Sequence, residues 1–166
     1  MPLSLTSPAF PIGGRISVKY TRDGQNVSPP LAWHDTPEQA RSFAMVVEDP
    51  DAPSGTFRHW AIYNIGPGET GLREGASKAK PGTVAQGVND FGNGHYDGPQ
   101  PPKGHGPHHY YFRLTALDVP RLDLPTRSAV EEVWKAARPH IIAEVRGDRD
   151  LRAVRNSSGW LSNANV

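Results

Sequence analysis

The chain has 166 residues and a net charge of +1, with both signs spread along it, so we expect one domain and exclude the basic surface of a nucleic-acid-binding protein. It contains no cysteine, which excludes thiol catalysis, disulfides and cysteine-ligated zinc. The start of the chain lacks the pattern of a signal peptide, and no apolar run approaches the ~20 residues that span a bilayer. We therefore expect a cytoplasmic domain without a transmembrane segment.

Three strands are predicted in the central part of the chain. Residues 42–49 alternate between two faces, Asp49 ends one of those faces, and Pro50 cannot extend the backbone pairing. Residues 59–65 are apolar on both faces, which is typical of a central strand. Residues 108–117 alternate, and we expect one face to line the core and the other to face solvent.

The other elements are predicted to be short. Residues 14–20 and 31–33 are typical of strands that flank a turn. The connection 66–107 is crowded with Gly and Pro, and within it a short helix is predicted only at 72–80. A connection of that length is usually functional when it is ordered.

A helix is predicted in the C-terminal third. Ser128 and Glu131 have the spacing of a capping box, and apolar residues follow at helical spacing. Pro139 must kink or restart this helix, which we expect to continue through Ile141 and Ile142 to Val145. The whole pattern favours a mainly β protein, an antiparallel β-sandwich with short helices at the C-terminal end.

Polar residues lie at the ends of the predicted strands, on the faces that are expected to line the core. Asp49 ends the first central strand, His59 begins the second, and His108 and Tyr110 begin the third. If these ends meet, they form a small polar basin in which imidazole and hydroxyl groups supply donors and Asp49 fixes a histidine tautomer. Such a basin suits a small anion, above all a phosphate, and the prolines around Asp51 would preorganise its loop.

Several motifs follow one another in a fixed order. Asp49-Pro-Asp-Ala-Pro53 precedes His59, and Gly98-Pro-Gln-Pro-Pro-Lys-Gly-His-Gly-Pro-His-His-Tyr110 leads into the third strand. With Asp23-Gly-Gln-Asn-Val-Ser-Pro-Pro-Leu-Ala-Trp33 and Gly87-Val-Asn-Asp-Phe-Gly92, they resemble the phosphatidylethanolamine-binding protein family, also called Raf-kinase-inhibitor-like, in its bacterial and archaeal branch. The resemblance covers about residues 3–147 of a single domain, 1–166. Residues 148–166 diverge from the family and are expected to form a mobile tail.

The resemblance implies a small pocket that binds phosphate-like anions, with no cofactor and no accepted catalytic activity. The family is known for inhibitors and modulators, so a kinase or protease is the implied partner beside a phosphate-bearing or other anionic ligand, and a homodimer is compatible with the sequence. Carried over by motif position, the ligand-binding residues are Asp49, Asp51, Phe57, His59, Pro101, Pro102, His108 and Tyr110. The resemblance also suggests a cis peptide bond between Ala52 and Pro53.

Other interpretations stay open at this point. Asp49 and Asp51 are also common at turns beside proline, and a protein core can satisfy His59 without any ligand. An Asp49–His59 pair could instead serve a hydrolase, or the pocket could be the vestige of a pure protein-interaction domain. The four histidines from His95 to His109 match no tight metal-ligand spacing, so no metal site is predicted.

The polar basin also predicts a pH dependence. Protonation of His59 or His108 would add cationic donors, so anion affinity should weaken as the pH rises through the ordinary histidine range near ~6.5. His34 lies outside the motifs and should take no part in it.

Overall fold

The computed structural model describes residues 2–10, 16–52, 55–78, 84–100 and 108–146, together with the backbone pairing of 152–153, 155–156 and 159–160. For His108, His109 and those last three pairs, the backbone alone is described. Within these ranges, none of the helices reaches the length and apolarity that crossing a bilayer requires.

Strands dominate the described residues, and one α-helix lies near the C-terminal end. The strands are β1 (Ser4–Thr6), β2 (Leu31–His34), β3 (Ser42–Asp49), β4 (Phe57–Ile65), β5 (Gly71–Leu72), β6 (Ala85–Gln86), β7 (His108–His109), β8 (Tyr111–Leu117), β9 (Ile141–Arg146), β10 (Arg152–Ala153), β11 (Arg155–Asn156) and β12 (Gly159–Trp160). The helix α1 spans Val130–Ala137, and 3₁₀ turns occupy Val18–Tyr20, Ala76–Lys78 and Arg138–His140.

A five-stranded antiparallel sheet in the order β6-β4-β3-β8-β9 forms the centre of the fold. The strands β3, β4, β7 and β8 confirm those predicted at 42–49, 59–65 and 108–117, with a break in pairing at Tyr110. A second antiparallel sheet, β1-β2-β5, packs on one face of the five-stranded sheet. The ring centroids of Trp33 and Phe43, one from each sheet, are 5.5 Å apart. The core between the sheets includes Trp33, Phe43, Met45, Val47, Trp60, Phe112 and Leu114. The predicted β-sandwich is confirmed.

Helix α1 covers the other face of the five-stranded sheet. Its buried residues Val130, Val133 and Ala137 pack with Ala44, Val46, Ala61, Tyr63 and Leu117. The prediction that one face of residues 108–117 meets solvent is therefore wrong for β8, because α1 lies on it. Thr115 is only 1% exposed, and the Arg113 guanidinium lies 4.5 Å over the ring of Trp134 on the helix.

The C-terminal third departs from its predicted structure. Helix α1 ends at Ala137, and Ile141–Arg146 form strand β9, which pairs with β8, so the prediction of a helix continuing to Val145 is wrong. Pro139 has no backbone N–H to continue the helical ladder. Partly buried and exposed residues then alternate along β9 with a period of two, as in a strand with one covered face.

The start of α1 also differs from the prediction. Its N-cap is Ala129, whose side chain makes no capping hydrogen bond. The hydroxyl of Ser128 instead donates to the carbonyl oxygen of Pro125 at 2.7 Å, so the predicted capping box with Glu131 is not formed. Packing on the sheet, more than capping, stabilises this helix.

The predictions for the smaller elements had mixed outcomes. The strand predicted at 31–33 is β2. The one predicted at 14–20 contains a 3₁₀ turn over Val18–Tyr20 among its described residues, and the helix predicted at 72–80 is reduced to the turn Ala76–Lys78.

The C-terminal segment pairs its backbone with the rest of the fold. Strand β10 runs antiparallel to β7, with Arg152 opposite His109 and Ala153 opposite His108. Strands β11 and β12 pair with each other. Part of the divergent segment 148–166 therefore lies beside the strand that leads to Tyr110.

Candidate functional site

Three strands bring their ends together at one end of the five-stranded sheet. Strand β3 is antiparallel to both of its neighbours, so its last residues lie beside the first residues of β4 and β8. Asp49 pairs with Phe57, and Glu48 pairs with Tyr111. The register therefore places Asp49, Phe57, His59 and Tyr110 at one end, and we call these four, with Phe91, the strand-end site.

The imidazole of His59 lies at the centre of the strand-end site and is only 4% exposed. Its ring centroid is 5.0 Å from that of Phe57, 5.3 Å from that of Tyr110 and 5.9 Å from that of Phe91. Tilted and edge-to-face contacts of this kind hold a ring in one orientation. Asp49 is close enough for its charge to act on the imidazole.

The Nδ1 nitrogen of His59 makes a hydrogen bond to the protein backbone. It lies 3.0 Å from the backbone carbonyl oxygen of Asp97. A carbonyl oxygen can only accept, so Nδ1 carries a proton and donates. In a neutral imidazole the other nitrogen, Nε2, is then an acceptor. Among the described residues, no hydrogen bond occupies Nε2.

The His59 imidazole is neutral near pH 7. Burial lowers its pKa to about 4, and the opposing effects of the Asp97 backbone hydrogen bond and of the charges of Asp49, Asp97 and Asp90 do not compensate. The prediction that His59 titrates near the ordinary histidine range is therefore wrong, because that range applies to a hydrated imidazole.

A buried carboxylate, Asp97, organises the loop behind His59. Its Oδ1 accepts from Nδ2 of Asn26 at 2.8 Å, and its Oδ2 accepts from Nδ2 of Asn89 at 2.8 Å and of Asn93 at 2.9 Å. We call these four residues the Asp97 network. Burial alone would raise the pKa of Asp97, but the three amide donors, together with the electrostatic effect of His95, outweigh it and hold that pKa below its usual range.

The Asp97 network ties together segments that are distant in sequence. The Asn89 amide also donates to the His59 carbonyl oxygen at 3.1 Å, so the network fixes β4 at the site. Asn26 has a positive φ of 55° and accepts from the backbone N–H of Gly98 at 2.7 Å. Asparagine tolerates this left-handed conformation better than most residues.

Gly98 gives the first testable prediction. A Cβ at this position would meet the Tyr20 carbonyl oxygen and would lie 2.8 Å from Thr21 Cα. Gly98→Ala should therefore lower the free energy of unfolding by about 1–3 kcal/mol, as overpacking does, in urea titrations. Gly94→Ala is the control, since a Cβ there meets no described atom within 4 Å. Equal stabilities of the two variants would contradict the close approach.

The rim of the strand-end site carries a cation. The Arg22 guanidinium stacks on the ring of Phe91 at 3.9 Å, and its Nε lies 3.9 Å from Asp97 Oδ1. Phe91 in turn contacts Phe57 at 4.7 Å. A permanent positive charge therefore lies against the aromatic wall.

Asp49 and Tyr110 complete the polar part of the site. Asp49 Oδ1 accepts from the backbone N–H of Asp51 at 2.8 Å, the turn geometry that an aspartate commonly adopts before proline. Asp51 itself is exposed. Burial, and then the charges of Asp49, Tyr96 and Asp51, raise the pKa of Tyr110, so its hydroxyl keeps its proton and remains a donor.

The amino-acid sequence matches the family model described as "Phosphatidylethanolamine-binding protein" over residues 6–147. The chain belongs to the phosphatidylethanolamine-binding protein family. It is 44% identical over 146 residues to a UPF0098 protein of Methanothermobacter thermautotrophicus, across 87% of the chain and 95% of that relative.

Two solved structures show that the fold is shared. YbcL of E. coli, described as a member of the mammalian PEBP family, superposes with a TM-score of 0.83 at 32% identity, over 88% of this chain and 95% of its own. CT736 of Chlamydia trachomatis, described as a homologue of phosphatidylethanolamine-binding proteins, gives 0.77 at 37% identity, over 87% and 94%. These matches confirm the family and the sandwich expected from the motifs.

For this family member, the structure places part of the predicted site. Asp49, Phe57, His59 and Tyr110 come together, and Asp51 lies in the adjoining loop. Pro101, Pro102, the His108 side chain and the bond between Ala52 and Pro53 lie outside the described residues, so their place in the site and the cis bond stay predictions. Among the described side chains, no group of three or more His, Asp or Glu is placed to hold a metal ion.

The motifs of the sequence did not indicate several residues that the structure places at or behind the strand-end site. They are Arg22, Asn26, Asn89, Phe91, Asn93 and Asp97. Asn26, Asn89 and Phe91 lie within motifs that carried the resemblance, but nothing assigned them a role. The signal that could have found them was the density of Asn and Asp between Gly87 and Gly98, since such residues make local turns and networks.

Proposed function

We propose that the protein is a small-ligand-binding regulatory module that takes a phosphate-like anion at the strand-end site. The observation that carries the proposal is the buried imidazole of His59, fixed from behind by Asp97 while no described group occupies its Nε2. The unprotonated Nε2 can accept a hydrogen bond, so a polar ligand at this position could donate to it.

The chemistry around His59 suits a small polar ligand of low charge. The rings of Phe57 and Phe91 form an apolar wall, and the Tyr110 hydroxyl can donate because it keeps its proton. Arg22 supplies a positive charge beside that wall. Ligand sites typically combine mostly apolar walls with a few placed polar groups in this way.

The proposal is binding and regulation without turnover. A kinase or protease is the partner class proposed for the regulatory role, acting in the cytoplasm. The name of the matched family supports a phosphate-bearing ligand. Hydrolysis would need His59 as a general base near neutral pH, and a pKa of about 4 makes its imidazole a weak one.

Calorimetric titration with methyl phosphate at pH 6 tests the proposed function. We expect saturable one-site binding in wild type, and about tenfold weaker binding in Arg22→Ala, because a charge-assisted contact is worth about 1.4 kcal/mol or more. Arg41→Ala is the control, since Arg41 is also exposed but lies at the opposite end of β3.

The outcomes separate the competing functions. Absence of heat and of any thermal shift with methyl phosphate would refute the anion-binding module. Release of methanol from methyl phosphate, lost in His59→Ala, would indicate the hydrolase instead. Capture of a kinase or protease that is unaffected by His59→Ala would indicate an interaction domain whose pocket has no role in it.

A further inference from the structure

We infer that Asn93 is a site of spontaneous deamidation, at which the backbone nitrogen of Gly94 attacks the Asn93 carboxamide and a carboxylate is left facing Asp97. The inference goes beyond the proposed function and does not depend on it, because it concerns the chemistry of the loop behind the strand-end site. Asparagine is among the thermolabile residues of proteins. It loses ammonia most readily where glycine follows, since glycine has no side chain to hinder the attack and adopts many backbone conformations.

Three pairs in the chain have the sequence that such a reaction requires, an Asn or Asp followed by Gly. They are Asp23-Gly24, Asn93-Gly94 and Asp97-Gly98. In each pair the attacking atom is the glycine nitrogen, so the hydrogen bonding of that nitrogen decides which pair reacts in the folded protein. The structure separates the three pairs on this point.

The glycine nitrogen is occupied in both Asp-Gly pairs. The Gly24 N–H donates to the carbonyl oxygen of Thr21 at 3.0 Å. The Gly98 N–H donates to Oδ1 of Asn26 at 2.7 Å, and Gly98 is buried. A nitrogen held in this way must lose its hydrogen bond before it attacks, and that loss has a cost in free energy. The folded structure therefore protects both Asp-Gly pairs.

The Gly94 nitrogen differs from both. Among the described residues, its N–H donates to no acceptor. Asn93 and Gly94 are each partly exposed, so water reaches them. A Cβ at Gly94 would meet no described atom within 4 Å, which leaves this peptide room to turn. The side chain of Asn93 is restrained by one hydrogen bond of 2.9 Å from its Nδ2 to Asp97 Oδ2, which must break before the carboxamide turns towards Gly94.

The reaction balances with water as the only co-reactant. A base in the solvent removes the Gly94 N–H proton, and the nitrogen forms a bond with Asn93 Cγ. The bond between Cγ and Nδ2 breaks, and the NH₂ group takes a proton and leaves as ammonia. Water then opens the succinimide ring at either carbonyl carbon and gives an aspartyl or an isoaspartyl residue at position 93. Ring closure joins two groups of one chain, which raises their effective concentration and removes the need for an enzyme.

The product disturbs the Asp97 network. Deamidation replaces the Asn93 donor, 2.9 Å from Asp97 Oδ2, with a carboxylate oxygen. Two carboxylates so close cannot both be charged without cost, so the loop must shift or one carboxyl group must take a proton. The carbonyl oxygen of Asp97 also accepts from His59 Nδ1 at 3.0 Å. Deamidation of Asn93 therefore loosens the loop that holds His59.

Peptide mapping by mass spectrometry, on the full chain incubated in mildly alkaline, isotopically labelled water, tests the reaction. We expect position 93 to gain labelled oxygen ahead of every other asparagine. Gly94→Ala should slow this conversion by at least about tenfold, or about 1.4 kcal/mol of activation free energy, because a methyl group hinders the attack. Gly68→Ala is the control, since a Cβ there also meets no described atom within 4 Å and no Asn or Asp precedes it. Earlier conversion of another asparagine, or an unchanged rate in Gly94→Ala, would overturn the inference.

Unfolding separates the effect of the structure from that of the dipeptide. The rate of each pair in the folded chain is divided by its rate in concentrated urea. This ratio should be at least about fivefold higher for Asn93-Gly94 than for the two Asp-Gly pairs, because each of those must first break a glycine N–H hydrogen bond of about 1 kcal/mol. Equal ratios for the three pairs would show that the fold does not select Asn93, against the inference.

Two substitutions at position 93 test the effect on the Asp97 network. Asn93→Ala removes the donor alone, whereas Asn93→Asp removes it and adds the facing carboxylate. At pH 7 we expect the midpoint of urea unfolding to be highest in wild type, lower in Asn93→Ala and lowest in Asn93→Asp. The aspartyl form isolated from aged wild type should match Asn93→Asp. An Asn93→Asp protein as stable as Asn93→Ala would refute the proposed effect on Asp97.

Discussion

Asp97→Ala should lower the free energy of unfolding by at least about 3 kcal/mol, since each hydrogen bond to a charged group contributes about 1.5–3 kcal/mol. The substitution leaves the Nδ2 donors of Asn26, Asn89 and Asn93 without their shared carboxylate, in a place where Asp97 is only 2% exposed. Asp97→Asn should be less harmful, because one amide oxygen can still accept while the new NH₂ group meets a donor.

Thermal unfolding followed by circular dichroism measures the effect. For a chain of this size, ~3 kcal/mol corresponds to a fall in Tm of roughly 6–12 °C. Asp123→Asn is the matched control, since the Asp123 side chain is 86% exposed and pairs with Arg121 at the surface, where such pairs contribute little. An Asp97→Ala protein as stable as Asp123→Asn would show that the Asp97 network is dispensable.

The free energy of unfolding should fall by an amount on the order of 3 kcal/mol as the pH is lowered from about 6.5 to about 4, through His59 alone. The pKa of His59 is lowered to about 4 in the folded protein and is near 6.5 in the unfolded chain. Between these values the unfolded state binds the proton and the folded state does not. The stabilisation is therefore fully present above pH 6.5 and is lost as the pH falls towards 4.

Urea unfolding of wild type and His59→Gln at pH 7, 5.5 and 4.5 tests this expectation. The variant should be less stable at pH 7 but should lose the part of the slope that belongs to His59. His34→Gln, an exposed position on β2, should keep the wild-type slope. The pKa of Asp97 is also lowered from its usual value of 3.8. Its contribution to the free energy of unfolding therefore changes mainly below pH 3.8, outside this window. Parallel pH profiles for wild type and His59→Gln would rule out a neutral buried imidazole.

The central strands were predictable because their sequence leaves few alternatives. Residues 42–49 combine β-branched and aromatic residues with a proline that ends the pairing, and β3 has those bounds. The strand ends then placed Asp49, His59 and Tyr110 near one another, because antiparallel neighbours of one strand must meet beside its end. This part of the site follows from topology alone.

The structure of residues 141–146 was harder to predict, because a short apolar run fits either a helix or a strand. Ile141, Ile142 and Val145 fit the face of a helix, whereas Ile141, Ala143 and Val145 fit the covered face of a strand, and the pairing with β8 selects the second. Local sequence does not contain that pairing. Tertiary contacts decided the outcome.

The rear of the site could not be predicted for a related reason. Asp97 and Asn26 are separated by 71 positions in the sequence, and their contact depends on the path of a long loop with little regular structure. The pKa of His59 depends on its burial, which is the largest cause of its shift, and the backbone of that loop makes the hydrogen bond to its ring. Motif spacing indicates which residues matter but not how far they are from water.

The imidazole of His59 is held in two different ways: by a hydrogen bond from Nδ1 to a backbone carbonyl oxygen, and by contacts with aromatic rings. The backbone of Asp97 holds one nitrogen of the ring, whereas Phe57 and Phe91 contact the ring through their aromatic side chains. A substitution at either phenylalanine removes one of the ring contacts of His59 but leaves its hydrogen bond to the Asp97 backbone in place. The aromatic contacts and the backbone hydrogen bond of His59 can therefore be varied separately by substitution.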